Sequence, residues 1–221
     1  MGSAKSHAHI AARPELAGRR SLIVDLPGHG TSDRPQDFGY TLDDRADAVA
    51  VAVALDAAGA ADAELIAHSM GGAVAIVLAH RRPDLVSRLV LTEADLDAFP
   101  PTTAAGSVIA AHGEDEFVEK QYARVLDAIG PLWAATIRPA DPRALHRSAV
   151  GLRRGSSPVM RMLLEGPLVD RVFLQGEHSG ELEGRRRLVA AGVRVLTVPG
   201  AGHNVMFDNP DAFAAAVAGA D

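Results

Sequence analysis

Glu64-Leu65-Ile66-Ala67-His68-Ser69-Met70-Gly71-Gly72 decides how the rest of the chain is read. Glu64 to His68 is a short apolar run that predicts a buried strand. Met70 to Arg82 predicts a helix, stopped before Pro83. Ser69 falls on the turn between them. A serine there must take a strained backbone so that its hydroxyl stands clear at the carboxyl edge of a sheet. Ala67 and Gly71, two residues before and two after, are small and predict close approach of strand and helix. The pattern is G-x-S-x-G with Ala67 in the place of the first glycine. The backbone N–H of Met70, at the helix start, points where an oxyanion would form. The plain alternative is a serine that only caps a helix; the strand-turn-helix setting favours a nucleophile.

The flanking segments place this turn in a repeating pattern. Upstream, Ser21-Leu22-Ile23-Val24-Asp25-Leu26, closed by Pro27-Gly28-His29-Gly30, predicts a buried strand. Leu42 to Ala58, bounded by Gly59, predicts a helix capped by Thr41, with Asp43 and Asp44 at the positive end of its dipole. Downstream, Arg88 to Thr92 predicts a third strand. Strand, helix, strand, helix, strand over residues 21–93 implies an α/β protein with a parallel sheet. Residues 94–168 break the rhythm. Pro100-Pro101 opens an irregular stretch, and Asp115 to Ile129 and Leu145 to Leu152 predict helices. The stretch is too long for a connecting loop. Residues 98–168 therefore read as a helical insertion between core segments 1–97 and 169–221. Val169 to Leu174 and Val193 to Val198 resume the strands, with a helix over Leu182 to Ala191 between them. Asn209 then predicts the cap of a last helix, with Pro210 at its first position.

A serine hydroxyl is a weak nucleophile until a base takes its proton. His203 follows the last strand in Gly200-Ala201-Gly202-His203, where glycines hold a tight loop from which the ring projects. It lies downstream of Ser69 in the order Ser…acid…His. The composition of the 221 residues excludes several other chemistries. With no cysteine, disulfide scaffolds, thiolate zinc sites and a Cys nucleophile are out. With 22 basic against 28 acidic residues the net charge is −6, which gives no electrostatic footprint for nucleic acid or an anionic membrane. Aromatic residues are 4%, too few for base-stacking platforms. No apolar run approaches the ~20 residues of a membrane span, and the opening Met1 to Ile10 lacks the apolar core of a secretory signal; a cytoplasmic protein is expected. His7 and His9 at i, i+2 have no third or fourth ligand nearby, so no metal site is expected. Gly28-His29-Gly30 is too short for a dinucleotide fingerprint, since Asp33 stands where a further glycine is needed. No cofactor is implied.

Taken together the chain resembles the α/β-hydrolases. Asp25 to Asp33 resembles the family's segment after its fourth strand, Ala67 to Gly72 its nucleophile elbow after the fifth, and Gly202-His203 its histidine loop after the eighth. The resemblance implies a mostly parallel sheet with flanking helices and a small helical cap, the insertion at 98–168. It implies Ser69 as nucleophile, His203 as base and Met70 as oxyanion donor, helped by residues near Gly2 and Ser3. Many members place the triad acid after the seventh strand, where Ser179 stands in this chain. Others place it after the sixth, which here runs into Glu93-Ala94-Asp95-Leu96-Asp97. Glu93 is the favoured acid, Asp97 the second choice and Glu177 the third. Phe117, Trp133, Ile137 and Met160 either line an acyl pocket or form the core of the cap. The resemblance also implies three strands before Ser21 that are not evident here. The chain opens in mid-motif, and a longer natural N-terminus is expected. Without the family's third strand, the strands at Ser21 and Glu64 lose their shared neighbour. They must pair directly, accept another segment or leave ladder groups unpaired. The functions implied are a serine hydrolase acting on a small-molecule ester or similar acyl compound, or a catalytically impaired hydrolase-like binding module. A serine in place of aspartate argues against dehalogenase and epoxide hydrolase chemistry. It does not separate carboxylesterase from C–C hydrolase, lactonase or perhydrolase.

Overall fold

A computed structural model describes residues 7–50, 63–97, 108–166 and 169–219. Among these residues four parallel strands form one sheet in the order of the chain: β1 (Ala63–His68), β2 (Val86–Thr92), β3 (Asp170–Gly176) and β4 (Arg194–Val198). Ala67 pairs with Leu91, Leu91 with Phe173 and Phe173 with Val195, so the four strands end near one another at a common carboxyl edge.

Side-chain alternation along the strands divides the core in two. Leu89, Leu91 and Phe173 point to one face, where they meet α2 (Leu42–Ala50), α3 (Met70–Arg81), α7 (Met160–Glu165) and α8 (Arg185–Ala190). Val90, Val172 and Leu174 point to the other. There they meet α9 (Val205–Asp208), α10 (Pro210–Ala218) and the N-terminal residues Ile10, on α1 (Ala8–Ala11), and Leu16. Helix α3 is buried from Gly72 to Ala79, so its sequence is apolar all round. Burying a leucine or isoleucine such as Leu78 or Ile76 contributes about 1.5–3 kcal/mol each.

The caps read from sequence are present. Thr41 Oγ1 accepts from Asp44 N (3.0 Å) and Asp44 Oδ2 from Thr41 N (3.1 Å), a reciprocal box that starts α2. Asn209 Oδ1 accepts from Ala212 N at the start of α10, with Pro210 in the first turn. The far end of the helix expected over Leu42–Ala58 lies outside the described residues.

The segment Ser21–Leu26 corrects the sequence reading: it forms no strand. A strand exists only in a ladder, and among the described residues β1 pairs with β2 alone. Leu22, Ile23 and Val24 are exposed, although Arg19 just before them reaches Glu64 on β1 (3.1 Å). Among the described residues neither Ser21–Leu26 nor another segment pairs with the outer edge of β1. The turn that follows is held by its own groups. Asp25 Oδ2 accepts from Thr31 N and Oγ1, and Asp25 O from Ser32 Oγ.

Within the expected insertion, Glu114–Glu116 runs through a π-helical turn (Phe117–Gln121) into α4 (Tyr122–Ala128), followed by α5 (Pro131–Ile137) and α6 (Pro142–Arg154). Ile109, Phe117, Ile137, Leu145 and Ala149 make a separate small core there. Arg147 ties α6 to the loop before α2 through Gln36 O and Phe38 O. Helix α7, by contrast, packs on α3, with Met160, Leu163 and Leu164 in the main core. The two ends of the insertion, residues 98–107 and 167–168, lie outside the described residues.

Candidate active site

Ser69 sits between β1 and α3 with φ 52° and ψ −125°. This left-handed backbone is uncommon for a residue with a Cβ and costs about 1–3 kcal/mol. It is held from both sides: Ser69 N donates to Thr92 O (2.9 Å), and Ser69 O accepts from Gly72 N (2.8 Å) as α3 begins. Ser69 as a whole is half-buried, at the carboxyl edge of the sheet. The close approach expected at Gly71 falls one residue later. A Cβ on Gly71 would meet nothing within 4 Å, whereas one on Gly72 would lie 2.4 Å from Ala94 Cβ. That contact presses the loop after β2 against the start of α3.

The same loop carries three acids, and the structure sends each to a different partner. Glu93 has φ 48°, which turns its side chain inward. Its Oε1 accepts from Gly176 N at the end of β3 (2.6 Å), and its Oε2 lies 3.6 Å from His203 Nδ1. Asp95 accepts a hydrogen bond from Ser69 Oγ (3.4 Å). Asp97 faces away and is gripped by Arg161 on α7, whose Nε lies 3.0 Å from Oδ1. The third acid considered, Glu177, accepts from Gly200 N (2.8 Å) and braces the histidine loop.

That loop is pinned at each residue. Gly200 has φ 66°. Ala201 O accepts from His178 N, and Gly202 N donates to Asp208 Oδ2 (2.9 Å). His203 O hydrogen-bonds His68 Nε2 (2.7 Å), and the two rings are 4.8 Å apart. His68 thus links the Ser69 turn directly to the histidine loop. Burial, then the neighbouring His203, hold its pKa well below the usual imidazole range, so it stays neutral and donates.

Asp95 is the residue that sequence reasoning passed over. It was one of three acids spaced two apart, and no spacing rule separates them. Burial raises its carboxyl from 3.8 to about 6 against the opposing pull of His203. At about 1.4 kcal/mol per pH unit that corresponds to about 3 kcal/mol lost from folding once the group is ionised in both states. Below about pH 3.8 the group is neutral folded and unfolded, and nothing is lost. The loss grows from pH 3.8 to 6 and is complete above. Asp95→Asn is therefore expected to stabilise the protein by about 3 kcal/mol in urea titrations at pH 8, with a gain that shrinks steadily below pH 6. An equal gain at both ends of that range would contradict the account.

Met70 is buried behind the turn, and its Sδ accepts from Arg45 Nη1 (3.2 Å). Of the residues considered for an acyl pocket, Phe117 and Ile137 belong to the small helical core and Met160 to the main core. Trp133 alone reaches the site, stacking on His68 with ring centres 6.3 Å apart. Gly2 and Ser3 lie outside the described residues. His9 hydrogen-bonds Met206 O and stacks on Phe207, and His7 lies 6.3 Å from His68. Among the described residues no group of three or more His, Cys, Asp or Glu could hold a metal ion. Among them, too, no helix is long and apolar enough to cross a membrane.

Comparison with known proteins agrees with this architecture. A family model described as the alpha/beta hydrolase fold matches residues 2–123. The chain is 29% identical to the sn-1-specific diacylglycerol lipase ABHD11 of Mus musculus over 93% of its own length and 73% of that protein. It is 33% identical to Esterase Rv0045c of Mycobacterium tuberculosis over 74% of its length and 52% of that protein. The chain thus spans between about half and three quarters of these two relatives. Among solved structures, an esterase from Exiguobacterium antarcticum superposes with a TM-score of 0.80, covering 99% of this chain and 87% of that one at 20% identity.

Proposed function

The chain belongs to the α/β-hydrolase fold family, and we propose that within it the chain is a serine hydrolase that cleaves a small-molecule ester or similar acyl compound through an acyl-enzyme on Ser69. The observation that carries this reading is the left-handed backbone of Ser69 on a strand-to-helix turn, with His203 brought to the same sheet edge and Glu93 behind it. That relatives are named lipase and esterase supports an enzyme over a non-catalytic binding module.

In the proposed reaction the Ser69 hydroxyl swings from Asp95 toward His203. Its oxygen attacks the scissile carbonyl carbon while the proton passes to His203 Nε2. Glu93, facing Nδ1, keeps the proton on that nitrogen and stabilises the imidazolium that forms. The two atoms are 3.6 Å apart, and the pair tightens as the ring gains its positive charge. The Met70 N–H, at the positive end of α3, faces the developing oxyanion. Collapse expels the alcohol, which takes the proton from His203. Water, deprotonated by His203, then attacks the acyl-enzyme and frees the acid and Ser69.

The test is covalent. A fluorophosphonate should leave one adduct, on Ser69, detectable by mass spectrometry of the peptide. Ser69→Ala should take none, and His203→Ala should label far more slowly because the hydroxyl has lost its base. Folded wild-type protein that takes no adduct would sink the reading and favour a binding module.

A further inference from the structure

Asp95 touches the nucleophile, yet the proposed reaction gives it no proton and no charge to balance. Its Oδ2 is 3.4 Å from Ser69 Oγ. Among the described residues no lysine or arginine forms an ion pair with it, whereas Asp97, two residues on, is gripped by Arg161. Among the described residues the other titratable groups that act on it are His203 and Glu93, and Glu93 already stands at the imidazole. Among the described residues, then, the Ser69 hydroxyl has beside it a half-buried carboxylate that no lysine or arginine pairs with.

Resting on the serine-hydrolase reading, we propose that Asp95 determines specificity by charge: it admits esters whose acyl group is neutral or cationic near the scissile carbonyl and rejects those bearing a carboxylate there. A carbonyl carbon poised for attack lies about 3–3.5 Å from the serine oxygen. A charge two or three bonds further out then sits about 6–7 Å from the Asp95 carboxylate. With an effective dielectric of about 20, repulsion at that distance amounts to about fifty- to a hundredfold in relative rate, before partial screening by water and by His203. Burial holds the carboxyl at about 6, so it is ionised at pH 7.5 and the filter is on.

Three methyl esters of similar size read the filter: methyl butyrate, β-alanine methyl ester and monomethyl succinate, followed by pH-stat at pH 7.5. Wild-type protein should prefer methyl butyrate to monomethyl succinate by at least about tenfold in kcat/KM. The cationic ester should match or exceed the neutral one. Asp95→Asn should bring the neutral-to-anionic ratio within about threefold, while Asp97→Asn, which removes an equal charge already met by Arg161, should leave it in place. Asp95→Ser, a second neutral variant, should give the same collapse of the ratio. Methyl butyrate turned over with no discrimination by the wild type, or discrimination that survives loss of Asp95, overturns the filter alone. No turnover of any ester together with no fluorophosphonate adduct on Ser69 removes the hydrolase reading and the filter with it.

Discussion

Glu93→Gln should lower kcat on a neutral nitrophenyl ester by about 10³–10⁴-fold, while Asp97→Asn and Glu177→Gln stay within about fivefold of wild type. The three acids look alike in sequence but not in their partners. Glu93 Oε2 faces His203 Nδ1 and Oε1 is fixed by Gly176 N. A glutamine keeps that shape, but with its oxygen on Gly176 N it turns an amide N–H toward Nδ1. The ring must then accept at Nδ1 and carry its proton on Nε2, where it can no longer take one from Ser69. Losing the correct tautomer costs about 10⁴ in triads of this kind. Asp97 is held by Arg161 on the far side of the loop, so its neutralisation changes a surface pair of modest worth. Glu177 supports the histidine loop through Gly200 N, a contact a glutamine oxygen retains. Steady-state kinetics on the three variants, with far-UV circular dichroism to confirm folding, separates them. A collapse of kcat in Asp97→Asn with Glu93→Gln near wild type would assign the acid role elsewhere.

The contrast among these residues shows what a linear pattern encodes and what it does not. The β1–Ser69–α3 turn, the Thr41 box and the Asn209 cap were legible because each is local: hydrogen bonds or backbone angles within a few residues decide it. Ser21–Leu26 carries the same local signature as β1, apolar and closed by turn residues. Yet a strand needs a neighbour, and a neighbour is a property of the whole chain. Asp95 was illegible for a related reason. Regular alternation would send Glu93, Asp95 and Asp97 the same way. The left-handed step at Glu93 and the pressure of Ala94 against Gly72 break that alternation after β2. Glu93 and Asp95 then turn into the site and Asp97 turns out to Arg161. His68 is the intermediate case. Its place beside Ser69 was plain, but its hydrogen bond to His203 O spans 135 positions of sequence. No composition or period could have shown it.

Gly176→Ala is expected to reduce kcat/KM by at least about 100-fold and to destabilise the protein by about 3 kcal/mol, although no atom of Gly176 meets substrate in the proposed reaction. β3 ends where the histidine loop crosses it. A methyl group on Gly176 would lie 2.4 Å from Gly202 O and 2.5 Å from Ala201 O. Both are backbone atoms and cannot swing aside as a long side chain would. The loop must shift as a body, and it carries His203 with it. Ala201 is fully buried and Gly202 is tied to Asp208, so the shift also strains the packing beneath α9. Overpacking of this kind typically costs about 1–3 kcal/mol. Because Gly176 N also holds Glu93 Oε1 (2.6 Å), both partners of the imidazole move apart at once. A displacement near 1 Å can lower the rate about 10²-fold. Gly71→Ala is the matched contrast for stability: its methyl meets nothing within 4 Å at the start of α3, and alanine favours helix over glycine by up to about 1 kcal/mol. Urea titrations should therefore move in opposite directions for the two variants. If Gly176→Ala matches wild type in both stability and kcat/KM, the crossing of β3 and the histidine loop does not position His203.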